Sequence, residues 1–221
     1  MHLNDTNLRG LVSNTRRAYD ECAEVYVRST RTLDLFPGLD HELDRFFVTL
    51  PGSSVLDLGC GGGRDAEYLI GRGATVVAAD LSEELLRYTR CRCAVAGAVL
   101  CDLMALPLAA GVFDGVWACA SVVHLPSETH PHVFSEIHRV LAPGGVTAIS
   151  LKEGNGEGWA RSVRMPSPRW FSLRSPEAVL EELAAVGFVS AQVWPSGRGS
   201  WFVVEARKRL SAEPFVGVGS R

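Results

Sequence analysis

Apolar positions along this chain follow two rhythms. Short continuous runs rich in Val, Ala and Leu predict strands buried on both faces: Val55-Leu56, Ala74 to Asp80, Ala98 to Cys101, Phe113 to Ser121 and Val146 to Leu151. Between them the apolar residues recur at helical spacing. Ala66, Leu69 and Ile70 share one side. Leu81 to Leu86 follows Asp80, with Ser82 as N-cap and acids in its first turn. Val133, Ile137, Val140 and Leu141 point inward from a helix over Ser127 to Leu141, which Ala142-Pro143-Gly144-Gly145 stops with a tight turn. A polar loop is expected from Lys152 to Arg169. A helix from Ser175 to Val186 follows and stops at Gly187. Strands Phe188 to Trp194 and Ser200 to Ala206 are joined by a hairpin loop, Pro195 to Gly199. Upstream, Asn14 to Ser29 is helical, with Tyr19, Cys22 and Tyr26 on one face. A second short helix near Gly38 to Thr49 ends at Leu50-Pro51-Gly52. Residues 1–10 are polar and expected to be loose, and Ser211 to Arg221 to be disordered.

Composition narrows the class. A chain of 221 residues with 47% hydrophobic residues can bury a full single-domain core. A formal charge of −3 disfavours a broad nucleic-acid footprint, which needs a basic face. No apolar run approaches the ~20 residues of a membrane span, and the first residues lack the apolar core of a signal peptide. A cytosolic, membrane-free protein is expected, as monomer or homodimer. The 6 cysteines (Cys22, Cys60, Cys91, Cys93, Cys101, Cys119) read as free thiols, and Cys91-x-Cys93 lacks the spacing of a zinc knuckle, so no metal is expected.

The chemistry concentrates at Val55 to Ala66, VLDLGCGGGRDA. A strand, a glycine turn and a helix open a nucleotide-binding α/β unit, because glycine lets the backbone turn sharply and a ligand approach it. The spacing is Gly59-x-Gly61-x-Gly63, and Arg64 stands where a dinucleotide fingerprint wants its third glycine. Asp57 precedes the turn. A carboxylate there repels a pyrophosphate and attracts an ammonium, which favours S-adenosylmethionine (SAM) over NAD. Asp80 ends the second strand, 19 residues past Gly61, where an acid holds ribose hydroxyls. Asp102, with Leu103 and Met104, comes where an adenine edge would lie.

Together, VLDLGCGGGR, VVAADLS, Asp102, FDGVWACASVVHL and EIHRVLAPGG resemble a class I SAM-dependent methyltransferase of the small-molecule type. The resemblance covers roughly residues 15–207. It implies a Rossmann-like α/β fold with a seven-stranded sheet of order 3-2-1-4-5-7-6, strand seven antiparallel, and helices on both faces. It also implies a helical lid over residues 1–50, a SAM-binding domain over 51–210 and a tail over 211–221. By the same resemblance Asp57, Gly59 and Gly61 line the methionine end, with Ala118 and Cys119, and Cys60 and Arg64 are counted among the cofactor-binding residues. Asp80 holds the ribose, Leu81 packs on the adenine, and Asp102 and Leu103 bind its edge. The pattern Arg16 to Tyr26 is similar to a lid helix whose first tyrosine lies over cofactor and acceptor.

For the transfer itself, alignment is the main requirement. His124, just past the fourth strand, is the candidate base, and Tyr19 is the second catalytic candidate. A carboxylate acceptor would need no base. Tyr19, Tyr26, Lys152, Arg161, Arg164, Arg169 and Trp170 are the candidate acceptor-binding residues, and the arginines suit an anionic acceptor, a natural-product acid or a peptide carboxylate. The Asp/Asn-Pro-Pro-aromatic motif of base-methylating enzymes is absent after the fourth strand. The function expected is methyl transfer to an O or N nucleophile. Two competing classes are a NAD-dependent oxidoreductase, disfavoured by the glycine spacing, and a catalytically inactive SAM-binding regulatory protein.

Overall fold

The computed structural model describes residues 5–162 and 164–210. The chain opens with helices α1 (Asp5–Glu21), α2 (Ala23–Ser29) and α3 (Leu39–Thr49), then alternates β1 (Ser54–Leu58), α4 (Arg64–Gly71), β2 (Thr75–Asp80), α5 (Glu83–Arg92), β3 (Gly97–Leu100) and β4 (Phe113–Cys119). It continues through α6 (His130–Val140), β5 (Leu141–Glu153), β6 (Glu157–Ser162), β7 (Met165–Arg174), α7 (Pro176–Val186), β8 (Phe188–Pro195) and β9 (Trp201–Lys208).

The sheet has nine strands, with β3-β2-β1-β4-β5 parallel throughout and antiparallel β9 on the far edge of β5, followed by β8. Those seven strands have the order expected from the sequence. The pair β6–β7 is additional and replaces the polar loop expected over Lys152 to Arg169. It is an antiparallel hairpin in which Trp159 faces Trp170 and Gly158 faces Phe171. Its charges and glycines hide the strand pattern because most of β6 is solvent-exposed. β7 joins β5 in parallel through Lys152↔Leu173 and Glu153↔Arg174. A strand has two edges, and at Lys152 one is taken by Trp201 of β9. β7 therefore sits on the edge that β4 leaves after Ser150, above the carboxyl end of β4.

Period-two alternation explains the layers. Leu56, Leu58, Val116, Ala118, Ile149 and Leu151 pack on one face with Val133, Phe134 and Ile137 of α6 and Val179 and Leu183 of α7. Val55, Val76, Trp117, Val146 and Ala148 pack on the other with Leu39, Leu43 and Phe46 of α3 and Ala66 and Leu69 of α4. Ser82 caps α5 as expected, accepting from Leu85 N–H at 3.2 Å, and Gly187 ends α7 in the left-handed conformation.

Three local expectations change. The long N-terminal helix divides at Cys22, and residues 5–10, expected to be loose, form its first turns; residues 1–4 lie outside the described residues. The segment Ala142 to Gly145, expected to be a turn, belongs to β5 together with Leu141, with an irregular register against β4. The disordered tail expected over Ser211 to Arg221 also lies outside the described residues.

Candidate active site

The glycine turn after β1 is held by hydrogen bonds from both sides. Gly59 and Cys60 N–H donate to the Ala79 carbonyl at 2.7 and 3.1 Å. Gly59 has φ +81°, and a Cβ there would come within 2.2 Å of Ser121 Cβ, so the loop after β4 packs directly on the turn. Asp80 ties the turn to the end of β2: one carboxylate oxygen accepts from Gly61 N–H at 2.8 Å, the other from Ser82 N–H at 2.9 Å. Burial raises the Asp80 carboxyl above its usual range, and these backbone donors oppose that.

A first cavity opens here, floored by Gly59, Gly61, Asp80, Leu81, Asp102 and Leu103. Val12, Thr15, Arg16, Tyr19 and Tyr26 of α1 and α2 form its roof. The Ser82 hydroxyl donates to Asp20 at 2.5 Å, tying α1 to the same edge. The chemistry of the floor fits SAM: a carboxylate for vicinal hydroxyls, a second acid beside an apolar side chain for an adenine edge, and bare backbone at the turn. The space is only ≈ 80 Å³, whereas sites for ligands of this size measure about 300–1,000 Å³. Tyr19 and Tyr26 border this space.

Asp57 does not line this cavity. It is 1% exposed beneath the turn, accepts from Ala66 N–H, and one of its oxygens has no partner. Burial, with Asp65 and Asp80 nearby, pushes its carboxyl well above the carboxylate range. The expectation of an exposed carboxylate facing an ammonium is therefore corrected: Asp57 sits one layer below. Ala118 is likewise sealed inside β4. Cys60 is buried and borders, with Arg64, a small crevice under Tyr26. Arg64 Nε donates to Asp65 Oδ1 at 2.7 Å, and Asp65 Oδ2 accepts from Trp117 Nε1 at 3.0 Å. Despite burial, Arg64 and these bonds hold the Asp65 carboxyl low.

A second cavity of ≈ 590 Å³ lies on the other side of Tyr19, Tyr26, Cys119, Ala120 and His124, which border both. Ala120 makes this partition in a left-handed conformation, φ +55°. Cations dominate its wall: Arg64, Lys152, Arg161, Arg164, Arg169 and Arg198, against Glu157. Phe36, Trp159, Phe171 and Trp201 add aromatic surface. Arg64 and Arg164 both stack on Phe36, at 4.3 and 4.5 Å from the ring centre.

Tyr19, His124 and Arg169 converge at the partition. His124 Nδ1 lies 2.7 Å from the Trp170 carbonyl, which can only accept, so Nδ1 carries the proton. Nε2 then accepts from the Tyr19 hydroxyl at 2.8 Å, and Arg169 donates to that hydroxyl at 3.1 Å. Burial, and then the Arg169 charge, lower the His124 pKa to about 3. Burial raises the Tyr19 phenol, opposed by Arg169. The residue expected as a base near neutral pH is thus neutral and has both nitrogens engaged. Trp170 is absent from the cavity wall. Its indole N–H donates to Ser172, its ring packs edge-on against Trp159, and its carbonyl holds His124.

Sequence reasoning missed Phe36, Trp201 and Arg198. Arg198 reaches the wall from the β8–β9 turn, with Glu42 at 2.6 Å, Ser150 at 3.2 Å and Cys119 Sγ at 3.3 Å. A signal for it was present. A last strand antiparallel to β5 must begin at the carboxyl end of β5, so the turn feeding it lies over the site.

Residues 55–145 match the family model described as a methyltransferase domain. A malonyl-[acyl-carrier protein] O-methyltransferase of Salmonella typhimurium is 39% identical over 113 residues, 50% of this chain and 44% of that protein. The match thus spans less than half of that relative's length. Two solved structures share the fold. A 1,6-didemethyltoxoflavin-N1-methyltransferase of Burkholderia thailandensis, with bound S-adenosylhomocysteine, has a TM-score of 0.68 at 22% identity, covering 95% of this chain and 92% of that one. The DhpI–SAH complex has a TM-score of 0.74 at 21% identity, covering 91% and 98%.

Proposed function

We propose that this chain, whose residues 55–145 match a methyltransferase-domain family model, transfers a methyl group from SAM to an O or N nucleophile of a small anionic molecule. The observation that carries the reading is the partition. A cavity floored by glycine backbone and carboxylates meets a cavity walled by cations across the same five side chains. SAM supplies a methyl carbon on a positively charged sulfur, already activated for displacement. The chain's own residues have to bind, orient and exclude water. Asp80 offers its remaining lone pairs to a ribose, and Asp102 and Leu103 receive an adenine edge. Tyr19 and Tyr26 close over both and shut out solvent. The arginines of the second cavity hold the acceptor's negative charge. The likeness to a malonyl-[acyl-carrier protein] O-methyltransferase supports an acidic, oxygen-bearing acceptor.

Titration calorimetry with S-adenosylhomocysteine, with NAD as control, tests the cofactor. Methyl-labelled SAM incubated with a small-molecule extract of the producing cells tests the transfer. Label in the acid-derived fraction is expected. Cofactor binding with no label in any small molecule would leave a SAM-binding protein without catalysis and overturn the reading.

A further inference from the structure

We propose that Arg169 seats a carboxylate of the acceptor and that this carboxylate is itself methylated, giving a methyl ester. The inference rests on the methyl-transfer reading above and adds the substrate class and the bond formed.

Charge pairing singles out this residue. Three other arginines with little exposed surface each have a carboxylate partner: Arg64 with Asp65 at 2.7 Å, Arg198 with Glu42 at 2.6 Å, and Arg174 with Glu182. Arg169 is 6% exposed and forms no ion pair among the described residues. Its partners are the Tyr19 hydroxyl and Ser162 Oγ, both at 3.1 Å, and Met165 Sδ at 3.4 Å, all neutral. Its Nε has no partner. Tyr19 and Phe171 rings lie 5.4 and 5.1 Å from the guanidinium carbon and only partly balance the charge. A buried cation with no counter-ion is costly, and this one faces the second cavity. An anion entering that cavity supplies the missing partner, and a guanidinium fork matches a carboxylate.

The position also selects the reacting group. Arg169 touches Tyr19, which borders both cavities, so an anion paired with Arg169 lies beside the partition across which the methyl group must pass. Among the described residues the only imidazole there has one nitrogen donating to the Trp170 carbonyl and the other accepting from Tyr19. An alcohol or ammonium acceptor needs a proton removed, and no free base stands at the partition among the described residues. A carboxylate has no proton to lose. Its oxygen forms the new O–CH₃ bond while the methyl–sulfur bond breaks and its electron pair goes to sulfur. Negative carboxylate and positive sulfonium become a neutral ester and a neutral thioether, and no proton is released. The ester no longer pairs with Arg169, which favours its departure.

Calorimetry and thermal melting with benzoate and benzamide, with and without S-adenosylhomocysteine, test the seat. The two probes share the aromatic ring that the cavity suits and differ in charge. Wild-type protein is expected to bind benzoate and ignore benzamide. Arg169→Met is expected to weaken benzoate about tenfold to a hundredfold, the size of a hydrogen bond to a charged group. It should leave S-adenosylhomocysteine affinity unchanged and melt no lower than wild type, because an unpaired buried charge has been removed. Arg169→Lys keeps the charge without the fork and should fall between. Equal binding of benzamide and benzoate, no benzoate binding by wild type, or benzoate affinity unchanged in Arg169→Met would each overturn the seat. Label transferred in the extract assay should be released as methanol by alkali; alkali-stable label would overturn the ester. If S-adenosylhomocysteine fails to bind while benzoate binding follows Arg169, the methyl-transfer reading falls and the anion seat stands.

Discussion

Replacing His124 with Gln should remove a pH dependence of stability whose size follows from its surroundings. The folded imidazole is neutral because Nδ1–H is spent on the Trp170 carbonyl and Nε2 on the Tyr19 hydroxyl, in a buried site beside Arg169. Its pKa falls from 6.5 to about 3. The unfolded chain binds a proton on this ring below 6.5 and the folded chain does not. The neutral pocket therefore costs nothing above pH 6.5, and stability is lost as the pH falls from there toward about 3. At pH 5 the folded form is still neutral, and the gap of about 1.5 pH units corresponds to about 2 kcal/mol. That figure depends little on where the folded pKa lies, provided it is well under 5. Gln does not titrate, so the variant lacks this loss. Urea unfolding of both proteins at pH 7.5 and pH 5.0 should show wild type losing about 2 kcal/mol more than His124→Gln between the two conditions. The comparison cancels other groups, including the raised carboxyls of Asp57 and Asp80. Identical pH dependence in the two proteins would refute the neutral, doubly bonded imidazole. An ascending limb near pH 6.5 in kcat/KM that vanishes in the variant would restore His124 as a base.

Two substitutions probe the cofactor floor. Asp80→Ala removes the acceptor of Gly61 and Ser82 N–H and should weaken SAM tenfold to a hundredfold with the circular dichroism intact; an unchanged dissociation constant would put the ribose elsewhere. Gly59→Ala places a Cβ 2.2 Å from Ser121 Cβ at φ +81°, and should abolish SAM binding and lower the melting temperature by several degrees. Gly71→Ala, whose Cβ would meet no atom within 4 Å, is the control and should melt no lower than wild type.

The first cavity was legible because short-range signals specify it. Gly59, Gly61, Asp80, Leu81, Asp102 and Leu103 each sit at or just after a strand end, where chain order alone fixes the neighbourhood. Asp57 shows the limit of that reasoning: the sequence places it beside the turn, and only packing shows that its carboxyl turns inward toward α4. The second cavity was less legible because it is assembled at long range. Phe36 precedes α3, Arg198 comes from the last hairpin, and Phe171 and Arg169 stand on β7. The hairpin itself escaped notice because its strands carry charges and glycines and have little buried surface to impose a pattern on β6. His124 was found by position, but its protonation depends on a carbonyl 46 residues away in sequence.

The β6–β7 hairpin has a consequence for how such a protein can be altered. The floor of the first cavity is encoded between β1 and Leu103, whereas most of the wall of the second comes from Lys152 to Trp201. The hairpin is stitched to the sheet by only two residue pairs, at the tip of β5. The two halves are thus written in separate stretches of the chain, joined at Tyr19, Tyr26, Cys119, Ala120 and His124. A hairpin from another source, entering after Glu153 and leaving before α7, would reshape the wall of the second cavity without rewriting the floor of the first, provided it still offered partners to Tyr19 and His124.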